Sequence, residues 1–388
     1  MTPTARSAWD LAQLRVVQIS LAAAWGGREQ QASHLVEGLQ QRGHACLTIA
    51  RAGSPLADWL QRHQFPVLAV RGRGRHPWDM LRVRRRLAGW APDVVHFNDP
   101  HATTFGSLAL LGLAVPARVA VKSTSFPMRT PFRYRRLCDR VICVASSAFA
   151  ACRQAGIPAS QLRLVHSGCE PSLVRGGDRG QLRHELGLTH DDLVLLNVAN
   201  LLPVKGHASL LSAFRRVADQ LPQAHLVVAG EGPLREALQA RTRDLGLERR
   251  VHWLGFRRDL RQLFAAADLF VMSSQLEGIC STLIQSMMAG TPMVSTLTGG
   301  IGDLTDVQPP VAWTVPPNDH SALAEAIMQA LGDPRQRELR ARRARWRAAQ
   351  FFSVDHMVDR TLEVYREIIW EKSRQISTSH ERYRYMPT

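Results

Sequence analysis

The 388-residue sequence contains no apolar run long enough to cross a bilayer. A span needs about 18 to 20 uninterrupted apolar residues, and the best stretch, 105–117, is shorter and carries Pro116. The first twenty residues also lack the apolar core of a secretory signal. Both absences point to a cytoplasmic protein, with peripheral contact at the inner face of the plasma membrane as the open membrane option. The six cysteines (Cys46, Cys138, Cys143, Cys152, Cys169, Cys280) form no Cys-x-x-Cys pair and mostly sit beside apolar residues. Reduced, buried thiols are therefore expected rather than disulfides or a zinc site. The fifteen histidines are dispersed and no Asp-x-Asp motif occurs, so no metal site is expected. Helix-turn-helix, RNA-recognition and zinc-finger signatures are missing, as is any repeat of solenoid period, and nucleic acid is not an expected partner.

Acidic residues are scarce in the first half. Of the 49 Lys and Arg and 33 Asp and Glu, residues 1–190 hold 25 and 11, leaving a nearly balanced 24 and 22 for the rest. Two clusters carry the excess: Arg71, Arg73, Arg75, Arg82, Arg84, Arg85 and Arg86, then Arg129, Arg133, Arg135, Arg136 and Arg140. A one-sided basic domain attracts anionic lipid headgroups, nucleic acid or an acidic acceptor. An arginine-rich solvated face is the plainer reading of the same residues.

What is present is a parallel α/β pattern, twice. A chain that is 45% hydrophobic and this long divides by default into two domains. Leu14 to Ile19 reads as a strand, followed by a loop ending in Gly26-Gly27, a helix with apolar residues at Ala32, Leu35, Val36 and Leu39, and a strand from Ala45 to Ile49. Further strands are expected at 67–70, 94–97, 118–122, 141–144 and 162–166, and helices at 78–87 and 103–111. The order strand, glycine loop, helix, strand opens a doubly wound sheet. The polar, glycine-rich stretch 173–190 reads as a linker between a domain over 14–172 and one over 191–350. The second domain restarts the pattern with strands at 193–198, 225–228 and 251–254. A helix over 351–372 follows, and the tail 373–388 is expected to be disordered.

The densest stretch is Val271 to Asp303. It packs a strand end, the Glu277-Gly278 turn, a helix over 281–289, the stop Gly290-Thr291-Pro292, a second strand and the Gly299-Gly300 turn into about thirty residues. Strand ends with exposed N–H groups and an acid between them suit an anion that carries hydroxyls.

These turns resemble those of the retaining group 1 glycosyltransferases of GT-B fold, over about 350 residues from Val16 to Tyr365. The resemblance implies two Rossmann-like α/β/α domains facing across a cleft, with a C-terminal helix crossing back to the first. The second domain would hold a nucleotide-diphosphate sugar as donor substrate, with no further cofactor. The family's glycine-arginine-leucine-x-x-x-lysine-glycine loop falls on Ala199 to Gly206, so that Lys205 would meet the diphosphate while Asn200 stands where arginine is usual. Asn200 donates only a neutral hydrogen bond, weaker than a charged one. The signature of two glutamates separated by seven residues begins at Glu277, which would address the donor sugar, and ends on Gln285, which would accept from the ribose hydroxyls with its one carbonyl oxygen. The backbone of Gly278, Ile279, Cys280, Ser281 and Thr282, at a helix start, would hold phosphate, and Gly299-Gly300 would allow close approach. In the first domain Gly26-Gly27 matches the glycine loop near the diphosphate and acceptor. The catalytic histidine falls on His101 or His96, with His101 preferred, since His96 emerges from an apolar strand and is readily satisfied in a core. Gly168 and Glu170 would line the cleft, and His166 would be structural.

The implied chemistry is sugar transfer with retention, in which Lys205 and helix-start amides stabilise charge growing on the leaving diphosphate. No carboxylate pair is required, unlike many glycosidases. A lipid-linked or anionic saccharide is the expected acceptor, in cell-envelope polysaccharide or lipopolysaccharide biosynthesis, with an anionic membrane surface as a further partner. Two other readings stay open: a glycosyltransferase-like protein that binds without catalysis, which Asn200 and Gln285 favour, and a nucleotide-sugar 2-epimerase.

Overall fold

The computed structural model describes residues 12–72, 76–128 and 130–384. Arg73, Arg75 and Arg129 of the basic clusters, and the last four residues of the tail, lie outside the described residues.

The chain divides into two compact units. One combines the residues up to Val144 with Ala148–His166 and those from Val354 onward; the other holds Ala145–Ser147 and Ser167–Ser353. In the first unit short aliphatic strands alternate with helices: β1 (Arg15–Ser20), α1 (Gly27–Gln41), β2 (Ala45–Arg51), α2 (Pro55–Arg62), β3 (Val67–Val70), α3 (Pro77–Trp90), β4 (Val94–Phe97), α4 (Pro100–Ala109), β5 (Ala117–Lys122), α5 (Pro131–Leu137), β6 (Arg140–Cys143), α6 (Ser146–Gln154) and β7 (Leu162–Leu164). The seven strands are parallel in the order β3-β2-β1-β4-β5-β6-β7. Such strands are apolar throughout because helices cover both sheet faces. The order reverses between β1 and β4, where Gln18 pairs with His96 and Ile19 with Phe97. The loops after these two strands therefore emerge side by side, which is where open α/β sheets place ligands.

In the second unit α7 (Arg179–Glu185) leads into β8 (Leu193–Val198), α8 (His207–Gln220), β9 (Ala224–Ala229), α9 (Arg235–Asp244), β10 (Val251–Gly255), α10 (Leu260–Ala266), β11 (Leu269–Met272), α11 (Ser281–Ala289), β12 (Met293–Thr296), α12 (Ile301–Thr305), β13 (Trp313–Val315), α13 (His320–Gly332) and α14 (Pro334–Phe351). Six parallel strands run β10-β9-β8-β11-β12-β13, with the reversal between β8 and β11. The last helix, α15 (Val354–Arg384), belongs to the first unit. Its Met357, Val358, Leu362, Tyr365, Ile368 and Ile369 are buried in one cluster with α1 and the sheet.

Two boundaries differ from the sequence reading. The stretch 173–190, expected to be a linker, lies inside the second unit. Arg183 there is buried and donates to the carbonyls of Thr189, Asp192 and Ala266 and to Asp268. Those bonds fix α7 against α10. The C-terminal helix also runs past the expected stop at 372 and past Ser373, where disorder was expected, to Arg384.

Candidate active site

In the second unit the loops after β8 and β11 meet. The β8 loop ends in a tight turn, Pro203–Lys205, and Gly206 at φ +66° starts α8. A Cβ on Gly206 would lie 2.1 Å from the Ser273 carbonyl oxygen, so only glycine fits. Ser273 Oγ donates to the Lys205 carbonyl at 3.0 Å, and Gln275 N–H donates to the Val204 carbonyl at 2.8 Å. This stitching brings Lys205 to Glu277, 72 positions later: Nζ and Oε1 are 2.6 Å apart. Ser274 Oγ donates to the same carboxylate oxygen at 2.7 Å.

The pair is largely withdrawn from water, with side-chain exposures of 21% for Lys205 and 8% for Glu277. Burial disfavours the ammonium, but the adjacent carboxylate outweighs it and holds the Lys205 pKa above its ordinary value. His207 is buried behind it, and burial, with the Lys205 charge added, pushes its pKa down to about 4.

The β12 loop closes the other side. Thr296 Oγ1 donates to the Ser274 carbonyl at 2.6 Å and Thr298 Oγ1 to the Gln275 carbonyl at 3.0 Å. A Cβ on Gly299, at φ +54°, would stand 2.0 Å from the Glu277 carbonyl oxygen, and one on Gly300 1.9 Å from that of Gly278. Gly278, Ile279 and Cys280 then lead to Ser281 and Thr282 at the start of α11, which no side chain caps. Uncapped first-turn N–H groups carry the positive end of the helix dipole. Cys280 is buried, and its thiol pKa is pushed up to about 11, mainly by burial. Gln285 is 5% exposed, and among the described residues its Oε1 has no hydrogen-bond partner. A buried amide oxygen left unpaired is costly, so an incoming hydroxyl donor fits it. Asn200 is exposed on the β8 loop.

In the first unit a cavity of about 500 Å³ is lined by Trp25, Gly26, Arg28, Glu29, Asp99 and His101, among others. Asp99 builds it. One carboxylate oxygen accepts from Leu21 N–H at 2.7 Å, and the other accepts from His101 and Ala102 N–H at 2.9 Å, capping α4 and tying the two loops together. Gly26 precedes α1, whose first residue is Gly27, again without a side-chain cap. His101 is exposed on the first turn of α4. His96, by contrast, is 2% exposed, its Nδ1 2.7 Å from Tyr365 Oη, and burial pushes its pKa down to about 4. It is a core residue that joins β4 to α15, as the apolar run around it implied.

Gly168 is buried, Glu170 exposed and His166 half-buried. Ser274 and Glu29 were missed by sequence reasoning. Nothing local marks Ser274. Glu29 carried a signal, an acid directly after Gly26-Gly27 and Arg28, and it is 4% exposed with its pKa raised, chiefly by burial.

Residues 178–347 match the family model for glycosyl transferases group 1, and residues 25–173 that for glycosyltransferase family 4. The lipopolysaccharide core biosynthesis glycosyltransferase LpsE of Rhizobium meliloti is 27% identical over 286 residues, 71% of this chain and 77% of that protein. Mannosylfructose-phosphate synthase of Agrobacterium fabrum is 27% identical over 58% of this chain and 53% of its own length. Among the first curated relatives the matched stretch spans 53–60% of the relative. The crystal structure of Anabaena Alr3699/HepE in complex with UDP and glucose superposes with a TM-score of 0.81 at 22% identity, covering 91% of this chain and all of that one.

Proposed function

Because the chain belongs to the group 1 glycosyltransferases of GT-B fold, we propose that it transfers a sugar, with retention of anomeric configuration, from a nucleotide-diphosphate sugar to a saccharide or lipid-linked acceptor of the cell envelope. One observation carries this reading: the Lys205–Glu277 pair, 2.6 Å apart at the strand-order reversal, stands beside the uncapped start of α11 and the Gly299-Gly300 turn. A cation, a set of N–H donors and a backbone with no side chain in the way are what a diphosphate needs.

Each residue then has a role. Lys205 and the amides of Gly278 to Thr282 hold the leaving diphosphate, Gln285 Oε1 accepts from the ribose, and Glu277 accepts from hydroxyls of the donor sugar. Asn200 adds a neutral donor at the rim. As the bond from the anomeric carbon to the diphosphate oxygen breaks, positive charge grows on the sugar and negative charge on the phosphate, and Lys205 stabilises the latter. The acceptor oxygen bonds the anomeric carbon on the face the diphosphate leaves, and its proton passes to the departing phosphate oxygen. His101 and the Gly26-Gly27 loop, on the first unit's cavity, serve the acceptor side.

The Rhizobium relative is named for lipopolysaccharide core biosynthesis, and the Anabaena structure contains UDP and glucose. The first favours an envelope saccharide acceptor, and the second a uridine-linked donor as the first to try. The test is a thermal-shift screen of UDP-, GDP- and ADP-sugars, followed by NMR of the product anomer. A melting temperature raised by one sugar nucleotide is expected. No shift with any of them at millimolar concentration refutes the reading, and an inverted product refutes retention. Binding without transfer or hydrolysis identifies a binding protein, and base-dependent epimerisation without acceptor identifies an epimerase.

A further inference from the structure

The basic clusters of the first unit separate into two kinds once their partners are known. Arg71 and Arg82 pair with Asp79. Arg84 donates to the carbonyls of Ala109 and Leu111, Arg133 to Pro100 and Thr104, and Arg140 to Glu367 and Glu371. These guanidinium groups are already engaged inside the unit. Arg85 and Arg86 on α3, and Arg135 and Arg136 on α5, are exposed, and among the described residues their guanidinium groups make no ion pair or hydrogen bond.

These two helices and α4 expose large apolar side chains. Trp78 is 70% exposed on α3, Leu108 52% on α4, Leu111 61% just beyond it, and Phe132 68% on α5. α4 packs against both α3 and α5, so the three form one layer. The only carboxylate on them is Asp79, which is buried and already paired. Single exposed apolar residues are ordinary. Four of them in one layer, together with four exposed arginines that have no partner among the described residues and with no exposed acid on these helices, have the composition of a surface that sits at a lipid interface.

We propose that the α3–α4–α5 face binds an anionic lipid bilayer, with Trp78, Leu108, Leu111 and Phe132 entering the headgroup layer and Arg85, Arg86, Arg135 and Arg136 pairing with lipid phosphates. The proposal rests on the reading above in that a membrane-borne acceptor gives the contact its purpose. Charge complementarity selects this occupant. A second copy of the same face would set arginines against arginines, and a neutral bilayer would leave them unpaired. None of the helices among the described residues is long and apolar enough to cross a membrane, so the contact is one-sided.

The experiment is sedimentation of the full chain with phosphatidylcholine vesicles, with and without about 30% phosphatidylglycerol, at low and high salt. Binding is expected only with the anionic lipid at low salt, with a weaker residue surviving at high salt. Changing Arg85, Arg86, Arg135 and Arg136 together to Gln is expected to lower low-salt partitioning roughly a hundred-fold or more. Trp78→Ser with Phe132→Ser is expected to abolish the salt-resistant part and leave the salt dependence. Equal binding to neutral vesicles, no binding to anionic ones, variants that bind like the parent, or pelleting without vesicles through self-association each overturns the proposal. Unchanged melting temperatures show that the variants fold. Sugar-nucleotide thermal shifts separate the two ideas. If the shift persists while vesicle binding fails, only this proposal falls; if vesicle binding persists without any shift, only the function does.

Discussion

Replacing Glu277 by glutamine separates a structural ion pair from a ligand site. Lys205 is neutralised by Glu277 at 2.6 Å, so an arriving diphosphate competes with the carboxylate for the ammonium. Two unit charges about 4 Å apart interact by about 4 kcal/mol at an effective dielectric near 20. Desolvation offsets much of this in a pair so well covered. The substituted amide keeps a carbonyl acceptor for Lys205 and Ser274 but no charge, so Glu277→Gln is expected to cost about 1–2 kcal/mol of stability. The same change frees the Lys205 charge and removes a negative group beside the phosphates. Nucleoside diphosphate is then expected to bind tighter by about 1–2 kcal/mol, roughly 5- to 30-fold. The complete sugar nucleotide gains less, because the contact between residue 277 and its sugar weakens. Lys205→Met moves affinity the other way for both ligands. Isothermal titration with the nucleoside diphosphate and its sugar conjugate reads all four quantities. Affinities that stay within about two-fold of the parent in both variants refute the competition and leave the pair a purely structural bridge.

Gly299→Ala forces a side chain into φ +54° and onto the Glu277 carbonyl; a loss of about 2–4 kcal/mol in chemical denaturation is expected, and an unchanged midpoint contradicts the close approach. Gln285→Glu supplies a charged acceptor where Oε1 has no partner among the described residues, and sugar-nucleotide affinity by thermal shift is expected to rise several-fold, a fall arguing against ribose contact. His96 and His207 have folded pKa values near 4, below the ordinary 6.5. For such lowered values, the unfolded chain binds protons first, so their contribution is present above pH 6.5 and is lost as pH falls from there towards 4. His96→Gln and His207→Asn are each expected to flatten that part of the stability profile, measured by denaturation at successive pH values. Lys205 has the opposite sign: with its folded pKa raised, its contribution holds below its ordinary value of 10.5 and disappears as pH rises through the folded value.

The strand, loop and helix alternation was legible because parallel strands are apolar throughout and glycine or proline punctuates their ends. Lys205-Gly206, Glu277-Gly278 and Gly299-Gly300 marked loops that do converge in the second unit. Their contacts were not legible: Lys205 and Glu277 are 72 positions apart, and only the sheet order, with β8 beside β11, brings them together. Short helices such as α2, α5, α7 and α12 offer too few turns for periodicity to register. α14 offers no apolar stripe to read, since the residues it buries are alanines, Ala341, Ala344 and Ala348. The arginine clusters were visible as charge, but which arginines are spent on carbonyls and carboxylates depends on neighbouring helices. His96 is the reverse case: its apolar surroundings foretold a core position, and Tyr365 on the distant α15 supplies the hydrogen bond.

The proposed chemistry requires a diphosphate held by Lys205 and the start of α11, which a crystal structure with bound nucleoside diphosphate would reveal. Phosphate oxygens are expected within hydrogen-bonding distance of Lys205 Nζ and of N–H groups between Gly278 and Thr282, with a ribose hydroxyl on Gln285 Oε1. Phosphates bound elsewhere, with the Lys205–Glu277 pair still closed and Gln285 untouched, would contradict it.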